Sequence, residues 1–286
     1  MSILVQLVRL LRPAHLIKNL FVFIPWLFAR RFGTPQELWQ LLLVFLLFSL
    51  TAGAIYIFND ILDLEEDRLH PLKKMRPLAA GAIGSTLAGW TGFLVLIVAL
   101  GAGFLVGWRL GVVLATYALL NLLYSRWLKR VAFLDLLLVS TGFVLREVAG
   151  AWPLGIYISP WLITATYFLT LLIVVTKREM ALRVAGEEHP LHTDSVYTIP
   201  FLRDLELVLT PMLLVVYVLY TYVRINSDWF VVTVPIVLYT VFRYLYITRL
   251  QTEVDSPVEL LYRDGPLFTG VLLWLASAVA ILGLGI

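Results

Sequence analysis

The chain has 286 residues, 60% of them hydrophobic and only 14% charged, with a mean hydropathy of +0.89. No water-soluble domain hides that much apolar surface, so the composition points to a polytopic membrane protein. It contains no cysteine, which excludes a disulfide framework, a thiolate metal site and a cysteine nucleophile. No basic stripe with interleaved aromatics occurs, so the net charge of +3 is read as loop bias and not as nucleic-acid binding.

In chain order, Leu4 to Leu11 reads as an amphipathic helix lying at the membrane interface. No apolar core with a small-residue cleavage site precedes the first span, which is expected to insert uncleaved. Nine apolar runs of spanning length follow, at about 16–32, 38–58, 86–107, 109–127, 132–152, 159–178, 205–224, 228–248 and 266–285. The first is short and ends in Arg30-Arg31. The predicted fold is therefore all-α, a bundle of nine transmembrane helices, with 1–286 taken as one integral membrane domain. The loops set the orientation. One side collects Arg9, Arg12, Lys18, Arg68, Lys73, Lys74, Arg76, Arg126, Lys129, Arg130, Lys177, Arg178, Arg183, Arg203, Arg249 and Arg263, against Arg30, Arg31, Arg109 and Arg224 opposite. That bias predicts an inner (cytoplasmic) membrane protein with its N-terminus inside and its C-terminus outside. The long polar connections at about 59–85, 178–204 and 249–265 all fall on the inner side, where an active site is expected.

The chemistry concentrates at those inner ends. Arg12-Pro13-Ala14-His15-Leu16-Ile17-Lys18-Asn19 opens the first span. Lys18 either reaches a phosphate or snorkels as an interfacial anchor, while the amide of Asn19 needs a partner. After the second span comes Asn59-Asp60-Ile61-Leu62-Asp63-Leu64-Glu65-Glu66-Asp67-Arg68, with five carboxylates in eight positions. Acids this close to a bilayer mark a functional site. Asp60, Asp63 and Asp67 stand at i, i+3 and i+7, so a helix places them on one face beside Asn59. Glu65 and Glu66 fall elsewhere and are read as solvated. The bland reading of the three aspartates is a solvated helix end. The functional one is an oxygen-only site for Mg²⁺, which typically joins one or two carboxylates to a substrate's phosphates. His70-Pro71-Leu72-Lys73-Lys74-Met75-Arg76-Pro77 then supplies cations, either for phosphate oxygens the metal does not reach or as positive-inside charge.

Tyr124-Ser125-Arg126-Trp127-Leu128-Lys129-Arg130 joins the fourth and fifth spans, with Tyr124, Arg126 and Lys129 placed to meet a phosphate. Asp135 is either a partner for Lys129 or another cavity carboxylate. Arg146-Glu147, about two thirds through the fifth span, reads as a pair formed across helices. Lys177-Arg178-Glu179 ends the sixth span and suits phosphate recognition, with arginine supplying a bidentate fork. The acidic run with its basic loop, and this later charged helix end, form a weak internal echo in which two halves each offer a helix end to a shared cavity. His15, His70, His189 and His192 lack a zinc-binding spacing, and neither a Walker loop nor a serine elbow is present.

These residues resemble the UbiA-type intramembrane prenyltransferase superfamily. The resemblance covers nearly the whole chain: nine spans, Asn-Asp-x-x-Asp-x-x-x-Asp at 59–67, Arg76-Pro77, and Tyr-Ser-x-x-Leu-Lys at 124–129. It implies a diphosphate held through Mg²⁺ on Asp60, Asp63 and Asp67 and a group transferred to an acceptor. One departure stands out. The usual second acidic motif is replaced by Lys177-Arg178-Glu179, which suits an anionic second substrate such as a lipid phosphate. In this the chain resembles the branch of decaprenyl-phosphate phosphoribosyltransferases, as it does in Lys18-Asn19, Asp67-Arg68-x-His70-Pro71, Gly142-Phe143-Val144-Leu145-Arg146 and 256–264. The implied reaction moves 5-phosphoribosyl from phosphoribosyl pyrophosphate to a polyprenyl phosphate. Substrate contacts fall to Lys18, Asn19, Asn59, Lys73, Arg76, Tyr124, Arg126, Lys129, Lys177 and Arg178. The alternative is Mg²⁺-dependent transfer of a prenyl group from a prenyl diphosphate to an aromatic or other acceptor.

Overall fold

A computed structural model of the chain describes residues 3–31, 35–69, 73–185, 197–225, 228–250 and 257–284. His70, Pro71, His189, His192 and Ser256, singled out above, lie outside them. Every regular element among the described residues is helical. They run α1 (Ile3–Leu10), α2 (Ile24–Phe28), α3 (Pro35–Leu62), α4 (Leu64–Leu69), α5 (Ser85–Val106), α6 (Trp108–Arg126), α7 (Leu134–Ala151), α8 (Pro160–Ala185), α9 (Ile199–Tyr220), α10 (Thr233–Leu250), α11 (Pro257–Arg263) and α12 (Gly265–Leu284). A tighter 3₁₀ stretch, Pro13–Phe23, leads into α2.

The chain packs as two compact units. The first comprises Met1–Pro25, Gly33–Lys129 and Leu145–Tyr157; the second comprises Trp26–Phe32, Arg130–Val144 and Ile158–Ile286. In the first unit α3 packs on α5 and α6. Small side chains along α3 (Ser49, Thr51, Ala52, Gly53, Ala54) are all buried, which lets neighbouring backbones come close as membrane helices require. Leu10, Ile57, Leu78, Ile83 and Ala88 form an apolar cluster beneath the acidic run. The last turn of α7 passes so near the 3₁₀ stretch that a Cβ on Gly150 would land on the Val22 carbonyl oxygen. Only glycine fits there.

In the second unit α8 packs on α9 around Leu136, Leu172, Val175, Tyr197, Leu202, Leu209, Leu213 and Val241. Thr198 caps α9 by accepting a hydrogen bond from Phe201 N–H, and Pro200 sits in the first turn, where its missing donor costs nothing. Asp264 does the same for α12, accepting from Leu267 N–H at 2.7 Å.

Six helices among the described residues are long and apolar enough to cross a membrane: Pro35–Leu62, Ser85–Val106, Pro160–Arg183, Ile199–Val223, Trp229–Leu250 and Gly265–Leu284. They coincide with six of the nine predicted spans. The other three differ for visible reasons. Pro13 precedes the first and Pro25 lies within it, and the run forms the 3₁₀ stretch and α2, with only the shorter apolar segment His15–Phe28. The 109–127 and 132–152 runs form α6 and α7, of 19 and 18 residues, but carry Arg109 and Asn121, and Asp135, Arg146 and Glu147. On α5, Trp90, Phe93, Leu94, Ile97, Val98 and Leu105 are all exposed, a surface that suits lipid and not water.

Candidate functional site

The acidic run leaves α3 at its last turn and continues into α4 with Asp63 as the turn between them. Backbone hydrogen bonds carry the helical register through the break, Asp63 N–H to Asn59 and Asp67 N–H to Asp63. At 100° per residue, position i+7 returns to within about 20° of i, whereas i+3 stands about 60° away. The side chains follow that arithmetic. Asp60 and Asp67 are buried, 3% and 2% exposed, and both accept from Nη1 of Arg76, at 3.2 and 2.5 Å. Asp63 is more open and faces Lys129 Nζ at 2.6 Å. Among the described residues no three carboxylates or histidines come close enough together to cage an ion. The expected single face of three aspartates is therefore a pair plus one neighbour.

Cations from separate stretches close around this pair. Arg12, which precedes the 3₁₀ stretch, donates to Asp60 and lies 5.1 Å over the ring of Tyr56. It does so from a left-handed backbone, φ 52° and ψ 65°, a conformation that costs a non-glycine residue about 1 kcal/mol or more. Lys73 Nζ lies 4.0 Å from Asp67. Ser125, buried near the end of α6, donates to Asn59 Oδ1 at 2.5 Å, so the amide beginning the acidic motif is held by the Tyr-Ser segment. All of these belong to the first unit.

Other predicted residues sit elsewhere. Asn19 is buried deeper in the same unit, where Nδ2 donates to Ser49 at 2.9 Å and Oδ1 accepts from Arg146 Nε at 2.8 Å. Arg146 also donates to Tyr117 Oη at 3.1 Å and lies 5.1 Å from the rings of both Phe48 and Tyr117. The partner that the Asn19 amide requires is thus a buried arginine. Lys18 and Tyr124 are half-buried, and Arg126 is exposed at the end of α6. Lys177 and Arg178 lie on α8 in the second unit, Lys177 exposed and Arg178 bound to Asp135 at 2.5 Å. Of the two partners left open for Asp135, a lysine or a cavity, the structure has neither: Arg178 and Tyr197 take its oxygens. Tyr197 Oη donates to Asp135 at 2.6 Å and accepts from Phe133 N–H, and burial, then that bond to the carboxylate, push its phenol up to about 12. Glu179, also buried, is neutralised by Arg183 and by Arg203 at 3.2 Å. Arg12 and Ser125 stand in motifs quoted from the sequence without a role of their own, and Tyr197 stands in none. Each meets its partner across 48 or more residues, and no local spacing signals that.

A buried carboxylate pair ringed by arginine and lysine, in a chain with six bilayer-length helices among the described residues, defines a membrane protein with a charged site at the end of α3. The pattern of the UbiA prenyltransferase family matches residues 20–262, and the chain belongs to that family of multi-pass membrane transferases. The decaprenyl-phosphate phosphoribosyltransferase of Mycobacterium tuberculosis is 28% identical over 298 residues, spanning 99% of this chain and 96% of that protein. The fold is similar to that of a digeranylgeranylglyceryl phosphate synthase, with a TM-score of 0.70 at 16% identity over 99% of both chains. It is also similar to a UbiA homologue from Archaeoglobus fulgidus bound to DMAPP and Mg²⁺, at 0.67 and 20% identity over 97% of this chain and 99% of that one.

Proposed function

We propose that this protein transfers 5-phosphoribosyl from phosphoribosyl pyrophosphate to a polyprenyl phosphate of the decaprenyl type, releasing pyrophosphate. The observation that carries this reading is the buried Asp60–Asp67 pair with Arg12, Arg76, Lys73 and Lys129 around it. Full-length similarity to a decaprenyl-phosphate phosphoribosyltransferase supports it. So does the second unit, where Glu179, in the place of a second acidic motif, lies between Arg183 and Arg203.

The donor set fits Mg²⁺. Asp60, Asp63, Asp67 and Asn59 offer only oxygen, and Mg²⁺ asks for one or two carboxylates when phosphates complete its shell. Bound there, it would neutralise the charge building on the departing pyrophosphate. The chain's own groups do the rest. Arg12, Arg76, Lys73 and Lys129 hold the diphosphate, and the basic residues Lys18 and Arg126 of the same unit receive the lipid phosphate. An oxygen of the lipid phosphate forms a bond to the anomeric carbon while the bond from that carbon to pyrophosphate breaks, its electron pair leaving with pyrophosphate. The attacking oxygen is already ionised, so no general base is needed. We place the site at the cytoplasmic face of the inner membrane, in a chain crossing nine times with the N-terminus inside.

The test is direct. Purified protein with Mg²⁺, labelled phosphoribosyl pyrophosphate and a polyprenyl monophosphate is expected to yield a labelled lipid. Absence of that product, together with prenyl transfer from a prenyl diphosphate to an aromatic acceptor, overturns the proposal.

A further inference from the structure

Each of the three aspartates of the acidic run is already paired with a cation from its own chain. Arg12 holds Asp60, Arg76 bridges Asp60 and Asp67 at 3.2 and 2.5 Å, and Lys129 holds Asp63 at 2.6 Å, with Lys73 at 4.0 Å from Asp67. Four cations thus face three carboxylates. A bare divalent ion entering this place meets an excess of positive charge. To reach Asp60 or Asp67, both buried, it must pull guanidinium groups off them and leave those groups poorly solvated. A metal arriving with a diphosphate changes the balance. The complex is anionic, so each arginine released by a carboxylate finds phosphate oxygens that match its planar fork equally well.

Resting on the diphosphate reading above, we infer that Arg12, Arg76 and Lys129 act as a self-neutralising lock: the site refuses a lone divalent ion and admits metal and diphosphate only together. Arg76 is the centre of the lock because one of its nitrogens serves two carboxylates. Arg12 lies over the Tyr56 ring, 5.1 Å from its centroid, while it pairs with Asp60, so the ring still faces its guanidinium when the carboxylate lets go. Linkage makes the effect reciprocal. Pyrophosphate raises metal affinity by the factor by which metal raises pyrophosphate affinity.

The test uses the full chain in lipid nanodiscs, with labelled Mn²⁺ as the metal probe and inorganic pyrophosphate as the anion. Binding is read by rapid filtration and requires no turnover. Wild type is expected to bind Mn²⁺ weakly alone and about tenfold or more tightly with pyrophosphate, the scale of one charge-assisted hydrogen bond exchanged. Arg76→Gln is expected to tighten Mn²⁺ binding in the absence of pyrophosphate by about tenfold and to lose most of the synergy. Lys129→Gln, whose partner Asp63 is the most open of the three carboxylates, should shift the same way by less and serves if Arg76→Gln does not fold. Equal Mn²⁺ binding by wild type with and without pyrophosphate overturns the lock while leaving the diphosphate reading intact. Folded variants that bind Mn²⁺ alone no better than wild type overturn it too. Failure to retain pyrophosphate under any condition removes both.

Discussion

Gly150→Ala tests whether the first unit is assembled as described, because the obstacle to a side chain there is backbone. An added Cβ would fall on the Val22 carbonyl oxygen, with the carbonyl carbon at 2.8 Å and Val22 Cγ1 at 3.1 Å. Ordinary carbon contacts lie at about 3.5–4.0 Å, so the Val22 peptide must retreat by about an ångström. No rotamer change relieves that. Overpacking of this kind costs about 3 kcal/mol, which for a chain of this size lowers Tm by roughly 6–12 °C. The damage should also reach the polar knot, since Asn19 lies three residues before Val22 and Arg146 four before Gly150. Gly101→Ala is the control. Nothing lies within 4 Å of its Cβ inside α5, and the gain in helix propensity, about 1 kcal/mol, should hold Tm level or raise it. Tm would be followed by tryptophan fluorescence in detergent or nanodiscs. A Gly150→Ala protein melting within a degree of wild type would refute the close approach of α7 to the 3₁₀ stretch.

Three further outcomes are expected. Asp60→Asn and Asp67→Asn should each lower phosphoribosyl transfer by about a hundredfold or more in protein that still elutes as wild type, with Asp63→Asn milder; full activity in either of the first two would remove the metal-site reading. Arg178→Ala strands the buried Asp135 carboxylate and should cost about 3 kcal/mol or more of stability, whereas Lys177→Ala, exposed on the same helix, should leave Tm unchanged; equal Tm for the two variants contradicts this division. Asp264 takes a fork from Arg243, Nε at 3.1 Å and Nη2 at 2.7 Å, which with the cap to Leu267 holds its carboxyl below the ordinary value of 3.8. Its stabilising contribution is complete above that value and disappears as pH falls through the lowered one, so Asp264→Ala should melt earlier than wild type at neutral pH and alongside it in strong acid; a gap that persists in acid refutes the assignment.

The acidic motif was legible because its chemistry is local. Spacing alone places Asp60 and Asp67 on one helix face, and the same arithmetic, carried one step further, explains why Asp63 turns aside. The long apolar runs were legible for a similar reason, since span length is a local property. Pairings that close the site were not. Lys129 meets Asp63 across 66 positions, Arg12 meets Asp60 across 48, and Arg146 meets Asn19 across 127. Each depends on which helix packs beside which, and hydropathy does not encode that. Arg178 shows the opposite hazard. Its charge and place at the end of a predicted span suggested a hand extended to a ligand, yet it lies within α8 and holds Asp135, which burial had left in need of a cation.

The position of Arg12 has a practical side. A terminus whose first helix is short and whose Ile3, Val5 and Val8 are exposed invites trimming when a membrane protein is engineered for expression or crystallisation. Here the thirteenth residue is too late to begin. A shortened chain without Arg12 would keep all of its long apolar helices and would still insert, but Asp60 would be left with Arg76 alone, and that one side chain would be divided between two buried acids.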